Sequence, residues 1–154
     1  MKTLIIYFSW SGNTDRLVRE INEHFNFDVV RIERKIPYSS DYDVCAYKEA
    51  KEEWQERLYP EIKDLNIDIN AYDRILLFFP IWWYTFPMPI ATLIRKLNSF
   101  KGQIILFENS YTNDPKYAKN SLKDFRDIDR SLDVKQGLFN KDVDEHIKFI
   151  ENLE

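Results

Sequence analysis

The sequence predicts an α/β protein built on a doubly wound parallel sheet, and three observations carry that expectation. Short apolar runs and amphipathic helical stripes alternate five times along the 154 residues, the pattern of consecutive βαβ units. Three of the five runs are apolar throughout while two contain polar residues, as expected for three strands buried on both faces and two edges. The composition, 44% hydrophobic and 31% charged, is globular, and the length sets a prior of one domain over residues 1–154.

The elements follow in order. Leu4–Phe8 is an unbroken apolar run and reads as the first strand. Leu17, Val18, Ile21 and Phe25 then share one helical face. Val29–Ile32 is the second strand, with Arg31 inside it. Pro37, Ser39, Ser40 and Asp41 read as a loop. Beyond it Tyr47, Ala50, Trp54 and Leu58 recur at helical spacing, and Pro60 helps to stop that helix. Its other face, rich in Lys and Glu, reads as solvated. Ile75–Phe79 is the third strand, and Ile90, Leu93, Ile94 and Leu97 form the next helical stripe. Ile104–Phe107 is the fourth strand, Leu122 and Phe125 mark a short helix, and Val134–Leu138 is the fifth strand, with Lys135 and Gln136 inside it. Val143, Ile147 and Ile150 make the last helix. Strands 1, 3 and 4 belong inside and strands 2 and 5 at the edges, which the order 2-1-3-4-5 satisfies. Right-handed crossovers then place helices on both faces.

Composition excludes several functions. Lys and Arg total 22 against 26 for Asp and Glu, a net charge of -4, whereas a nucleic-acid surface needs a basic excess. One cysteine, Cys45, cannot form an internal disulfide, and two histidines with one cysteine are too few for a typical zinc site. No apolar run approaches the ~18 residues of a membrane span, and no signal-like pattern opens the sequence, so the cytoplasm is the expected compartment. Neither His24 nor His146 stands in a nucleophile or paired-carboxylate pattern, which makes hydrolysis a poor expectation.

In a doubly wound sheet, ligands bind at the carboxyl ends of the strands where the strand order reverses, here between strands 1 and 3. Ser9–Thr14 (SWSGNT) follows the first strand and opens a helix. Ser9, Ser11 and Thr14 offer hydroxyls, Asn13 offers an amide, and Gly12 lets the backbone turn tightly. A helix N-terminus adds free N–H groups and partial positive charge. With no lysine present this is not a nucleoside-triphosphate loop. It suits one terminal phosphate held by neutral donors. A helix cap would use one such residue, not three hydroxyls and an amide in six. Pro80–Pro89 (PIWWYTFPMP) places Trp82, Trp83 and Tyr84 consecutively just past a buried strand. Three neighbours cannot all face one core, so at least one ring should face the crevice and suit a flat aromatic ligand. Alternation along an extended segment puts Trp83 toward that ligand and Trp82 inward. Glu108–Pro115 (ENSYTNDP) brings amides, hydroxyls and Tyr111 beside them, and reads equally as a plain turn with Asp114 capping the helix.

These residues resemble the flavodoxin family. The match rests on Tyr7–Thr14 (YFSWSGNT), similar to that family's phosphate loop for flavin mononucleotide (FMN), and on Phe79–Ile90 (FPIWWYTFPMPI). The latter, together with Ile36–Asp43 (IPYSSDYD), resembles a bacterial subgroup of short flavodoxin-like proteins. The resemblance spans essentially the whole chain and implies a flavodoxin-like fold. It implies that Ser9, Ser11, Asn13 and Thr14 bind the FMN phosphate, with backbone help from Trp10 and Gly12. It further implies that Pro80, Ile81, Trp82, Trp83 and Tyr84 run along the isoalloxazine, and that Asn109, Ser110 and Tyr111 close its other side. Tyr84 stands where the subgroup usually has glycine, and the third loop carries no glycine.

The expected function is an FMN-binding, electron-transferring flavoprotein that works with redox partner proteins or small electron acceptors. Two alternatives belong to other classes: an NAD(P)H-dependent quinone or nitro-compound oxidoreductase, and a degenerate flavodoxin fold that binds no flavin and serves as an interaction module. Fold alone does not choose among them.

Overall fold

The computed structural model describes residues 1–153. Its centre is a five-stranded parallel sheet in the order β2-β1-β3-β4-β5, with β1 at Thr3–Tyr7, β2 at Asp28–Arg31, β3 at Arg74–Pro80, β4 at Gln103–Asn109 and β5 at Asp133–Phe139. The strand order is the one predicted. β1, β3 and β4 are almost wholly buried, whereas β2 and β5 are partly exposed along their length.

Side chains alternate across the sheet and divide the core in two. Ile5, Tyr7, Leu76, Phe78, Ile105 and Phe107 face helices α1 (Asn13–Phe25) and α6 (Val143–Glu151), meeting Val18, Ile21 and Ile150. Leu4, Ile6, Ile75, Leu77, Phe79, Ile104 and Leu106 face the other way. That face is covered by α4 (Met88–Lys96), by α5 (Lys116–Ile128) and by the long excursion between β2 and β3.

The excursion is helical where the spacing of Tyr47, Ala50 and Trp54 predicts, but not as one α-helix. A turn of α2 (Tyr42–Val44) runs into a π-helical segment at Cys45–Ala50 and then α3 (Lys51–Glu56). α3 is tied down by a buried carboxylate: Glu53 pairs with Arg34 at 2.9 Å and accepts from the Tyr38 hydroxyl. Arg34 also lies over the Tyr38 ring, 4.3 Å from its centroid.

One irregularity shapes the upper end of β4. Its pairing with β5 shifts register between Leu106 and Glu108, a bulge that bends β5. Gly137 sits at the shift, where an added Cβ would lie 2.8 Å from the Leu106 carbonyl oxygen and from Ile105 Cγ2. No larger residue fits between these strands without moving them.

Candidate functional site

A cleft of about 520 Å³ opens at the carboxyl ends of β1, β3 and β4, the position expected for a ligand in this topology. Its walls are Ser9, Trp10, Ser11, Asn13 and Thr14 from the first loop, Pro80, Ile81, Trp82 and Trp83 from the second, and Asn109, Ser110 and Tyr111 from the third. All twelve are among the candidate site residues named from the sequence, and the structure brings them together around one cleft. Two further residues assigned to the site do not line the cleft: Gly12, which shapes the first loop from behind, and Tyr84, which turns away.

Gly12 occupies the N-cap of α1 at φ +100°, a left-handed conformation that favours glycine. No described side chain caps the helix, so the N–H groups of its first turn remain available at the cleft wall, where Asn13 and Thr14 stand. The Ser9 hydroxyl instead accepts from Gly12 N–H at 3.2 Å and holds the loop's shape. Thr14 is buried, and its hydroxyl donates to Asn109 Oδ1 at 2.8 Å, joining the first loop to the third. Asp15 is directed elsewhere, bound by the Tyr7 hydroxyl at 2.5 Å and by Arg19 at 3.0 Å. The Tyr7 bond above all holds its carboxyl below the usual range, opposed by burial and helped by Arg19. Burial and Asp15 in turn push the Tyr7 phenol up to about 12.

The second loop is not extended, contrary to the alternation argument. Trp82 and Thr85 exchange backbone hydrogen bonds of 2.8 and 3.3 Å, closing a two-residue turn with Trp83 at φ 49° and Tyr84 at φ 72°. Consecutive positive φ values are what a type I′ turn requires, and Asn-Gly is its usual sequence. Glycine takes such a backbone without steric cost, whereas Tyr84 carries it here with a side chain. The strain is offset by contacts. The Trp83 indole donates to the Ala46 carbonyl at 2.8 Å and stacks on Trp54 at 5.7 Å. The Tyr84 ring lies between Trp54 and Tyr117, and Asn120 donates to the Tyr84 carbonyl at 3.0 Å. Trp82 packs edge-on against Phe8 and Tyr38, each 5.3 Å away. Both indoles line the cleft, Trp82 from the core side and Trp83 from the excursion side.

A prediction follows from the turn. Tyr84→Gly and Tyr84→Ala both remove the ring, but only glycine relieves the left-handed backbone, so Gly should be the more stable by about 1 kcal/mol. Chemical denaturation of the two variants checks this, since the opposite order holds at ordinary positions.

Three contributions escaped the sequence reading. The π-helical segment supplies Cys45, Ala46, Tyr47 and Ala50 to the cleft, with Tyr42 just before it. π-Helical turns are rare and often lie at functional sites, but their side-chain spacing looks α-helical in a sequence. Arg31, at the end of β2, donates to the Ser9 carbonyl at 3.0 Å and brings a positive charge behind the first loop. Asn140 accepts from Ser110 N–H through its Oδ1 at 2.8 Å and donates its own N–H to the Glu108 carbonyl at 2.8 Å, bracing the third loop. Only Arg31 had a local signal, as a charge inside a strand. Asp114 accepts from Lys116 N–H at 3.1 Å, but the N-cap of α5 is Pro115, one residue later than the cap expected at Asp114.

No residue lining the cleft is charged. Cys45 is buried, and burial above all pushes its thiol up to about 12, so it is not a nucleophile at neutral pH. Among the described residues there is no His, Cys, Asp and Glu group that could hold a metal ion, and no helix long and apolar enough to cross a membrane. The arrangement is a binding cleft: free N–H groups and hydroxyls at one end, aromatic walls along the rest.

The family profile for Flavodoxin matches residues 2–152. The chain belongs to the flavodoxin family. A flavoprotein from Lactobacillus acidophilus, solved in complex with FMN, is similar to this flavodoxin with 28% identity and a TM-score of 0.80, covering 97% of this chain and 98% of its own. The apo-form of the flavoprotein from the same organism shows 30% identity and a TM-score of 0.69, covering 94% of this chain and 95% of that one. Oxidised flavodoxin 1 from Bacillus cereus covers 100% of both chains at 15% identity and a TM-score of 0.53, a likeness of fold. No curated protein matches the chain.

Proposed function

We propose that this flavodoxin binds FMN in the cleft and transfers electrons through it, as a single cytoplasmic domain serving redox partner proteins or small acceptors. The observation that carries the reading is the α1 N-terminus, which no described side chain caps and whose first-turn residues stand at the wall of an uncharged, aromatic-lined cleft. A phosphate suits that end, because N–H groups and the helix dipole favour an anion there. A planar ring system suits the indole and tyrosine walls. The FMN-bound Lactobacillus acidophilus flavoprotein, alike over nearly its whole length, supports the same assignment.

Ser9, Ser11, Asn13 and Thr14 would hold the phosphate, with the Trp10 and Gly12 backbone, and Arg31 would add its charge from behind. Trp82, Trp83, Pro80 and Ile81 would flank the ring on one side, with Asn109, Ser110 and Tyr111 on the other. When bound, FMN supplies the redox chemistry. The protein's part is to hold it, keep water from it and set its potential. The aromatic walls, the uncharged lining and the net charge of -4 all disfavour added negative charge on the ring. Direct use of NAD(P)H is the weaker reading, since no cation lines the cleft to hold a second nucleotide.

Purified protein should be yellow with a flavin absorbance spectrum. A colourless protein that takes up no added FMN would instead favour the interaction-module alternative. Within the site, Thr14→Ala should weaken FMN binding by about one to two decades, the worth of one hydrogen bond to a charged group, formed when its single O–H turns from Asn109 to the phosphate. Fluorescence titration of apo-protein measures this. An unchanged affinity would restrict the Thr14 hydroxyl to its bond with Asn109.

A further inference from the structure

Glu108 is a carboxyl in a place that suits only a carboxylic acid. It lies at the upper end of β4 with 2% of its surface exposed, one residue before Asn109 on the cleft wall. Its Oε1 accepts from Gln136 Nε2 at 2.6 Å. Its Oε2 has no partner among the described residues, and neither does Gln136 Oε1. Two unpaired oxygens on one hydrogen-bonded pair of side chains are a defect if Glu108 is ionised. One proton on Oε2 supplies the donor that such a pair lacks, since a protonated carboxyl and a primary amide each offer one donor and one acceptor to the other.

The surroundings offer no cation in compensation. Across the strand pairings Glu108 meets Phe79 of β3 and Phe139 of β5. α4 carries only Arg95 and Lys96, in its last turn. The basic residues of α5, Lys116, Lys119, Lys123 and Arg126, and its Asp127 are exposed, while Asp124 is half-buried. Arg126 is engaged by the Val134 carbonyl. His146 belongs to α6 across the sheet, where its Nδ1 meets the Asp142 carbonyl. Among the described residues no salt bridge reaches Glu108. Burial pushes its carboxyl up to about 8, with Gln136 pulling the other way.

We propose that Glu108 is a proton-holding residue coupled to the flavin cleft, which keeps or takes up a proton when the bound cofactor is reduced. The inference rests on the FMN reading for its redox half. Two electrons from an external donor make the ring more negative, and a second negative charge at the end of β4 is then opposed across a poorly screened interior. Where Glu108 starts ionised, one proton from solvent adds to Oε2, forming a single O–H bond. Where it starts neutral, no proton moves at this residue. Reduction should raise the affinity of Glu108 for its proton at least about tenfold.

Two measurements test this. Infrared spectroscopy of the wild-type protein should show the C=O stretch of a protonated carboxylic acid at pH 7, absent in Glu108→Gln. In the FMN-loaded protein at about pH 8.5 that band should grow on reduction with dithionite. The midpoint potential plotted against pH should steepen above about pH 8 in the wild type and lack that break in Glu108→Gln. Absence of the acid band at pH 7, or identical plots for the two proteins, would overturn the proposal. If the variant folds poorly, the growth of the band on reduction, read on wild-type protein alone, still tests the coupling. Protein that takes up no FMN refutes the FMN reading and the coupling with it, and the acid band in that apo-protein then shows the proton site to be sound by itself.

Discussion

Replacing Glu108 with glutamine is expected to make the protein more stable at and above neutral pH, by on the order of 4 kcal/mol at pH 8. The carboxyl is held up near 8 in the folded protein and returns to about 4.3 when unfolded. Between those values the folded chain binds more protons than the unfolded one, so stability falls as pH rises. The contribution of this residue is fully present below the unfolded value and lost by the folded one. Glutamine keeps the shape, offers an N–H to Gln136 Oε1 and does not ionise. Denaturant unfolding from about pH 5 to pH 9 should therefore show the wild type losing more stability than the variant, which keeps only the loss from Glu53, whose carboxyl burial also raises. His146 works in the opposite direction. Burial lowers its pKa from the usual 6.5, so its contribution is present above that value and lost as pH falls. The variant should retain this acid-side loss. Parallel pH profiles for the two proteins would show that Glu108 is ionised in the folded state.

The second large effect is expected at Trp82. Its ring meets Phe8 and Tyr38 edge-on and packs against the larger core. Trp82→Ala should cost about 3 kcal/mol, the lower end of the range for such truncations because the ring is only partly buried. Trp83→Ala should cost less stability, since its stacking on Trp54 and its bond to Ala46 lie at the rim. It should weaken FMN about tenfold through the lost aromatic wall, and raise the midpoint potential. Unfolding curves and flavin titrations of both variants separate these roles. If Trp82→Ala strips the flavin while Trp83→Ala only destabilises, the two indoles have exchanged functions.

The sheet was legible because burial writes itself into strand composition. Leu4–Phe8, Ile75–Phe79 and Ile104–Phe107 are apolar at every position because helices cover both faces, and Arg31 and Lys135 mark the edges. The first loop was legible because glycine, hydroxyls and an amide between a strand and a helix have few other uses. What stayed hidden depends on contacts distant in sequence or on backbone states without a residue signature. The Thr14–Asn109 bond spans 95 positions. The left-handed turn at Trp83 and Tyr84 is carried by two residues that normally avoid it, and is held by Trp54, Ala46 and Asn120 from elsewhere in the chain. The π-helical segment has the residue spacing of an α-helix. Glu108 looked like part of a polar loop, because only the strand register shows that its side chain turns into the core.

The central claim is that the cleft is an FMN site whose affinity comes largely from the first loop. Its most direct test is calorimetric titration of apo-protein with FMN and, separately, with riboflavin, which has the same ring and no phosphate. One equivalent of FMN should bind, and riboflavin should bind at least about a hundredfold more weakly, the worth of one or two charge-assisted hydrogen bonds. Equal affinities, or no heat with either ligand, would contradict the assignment.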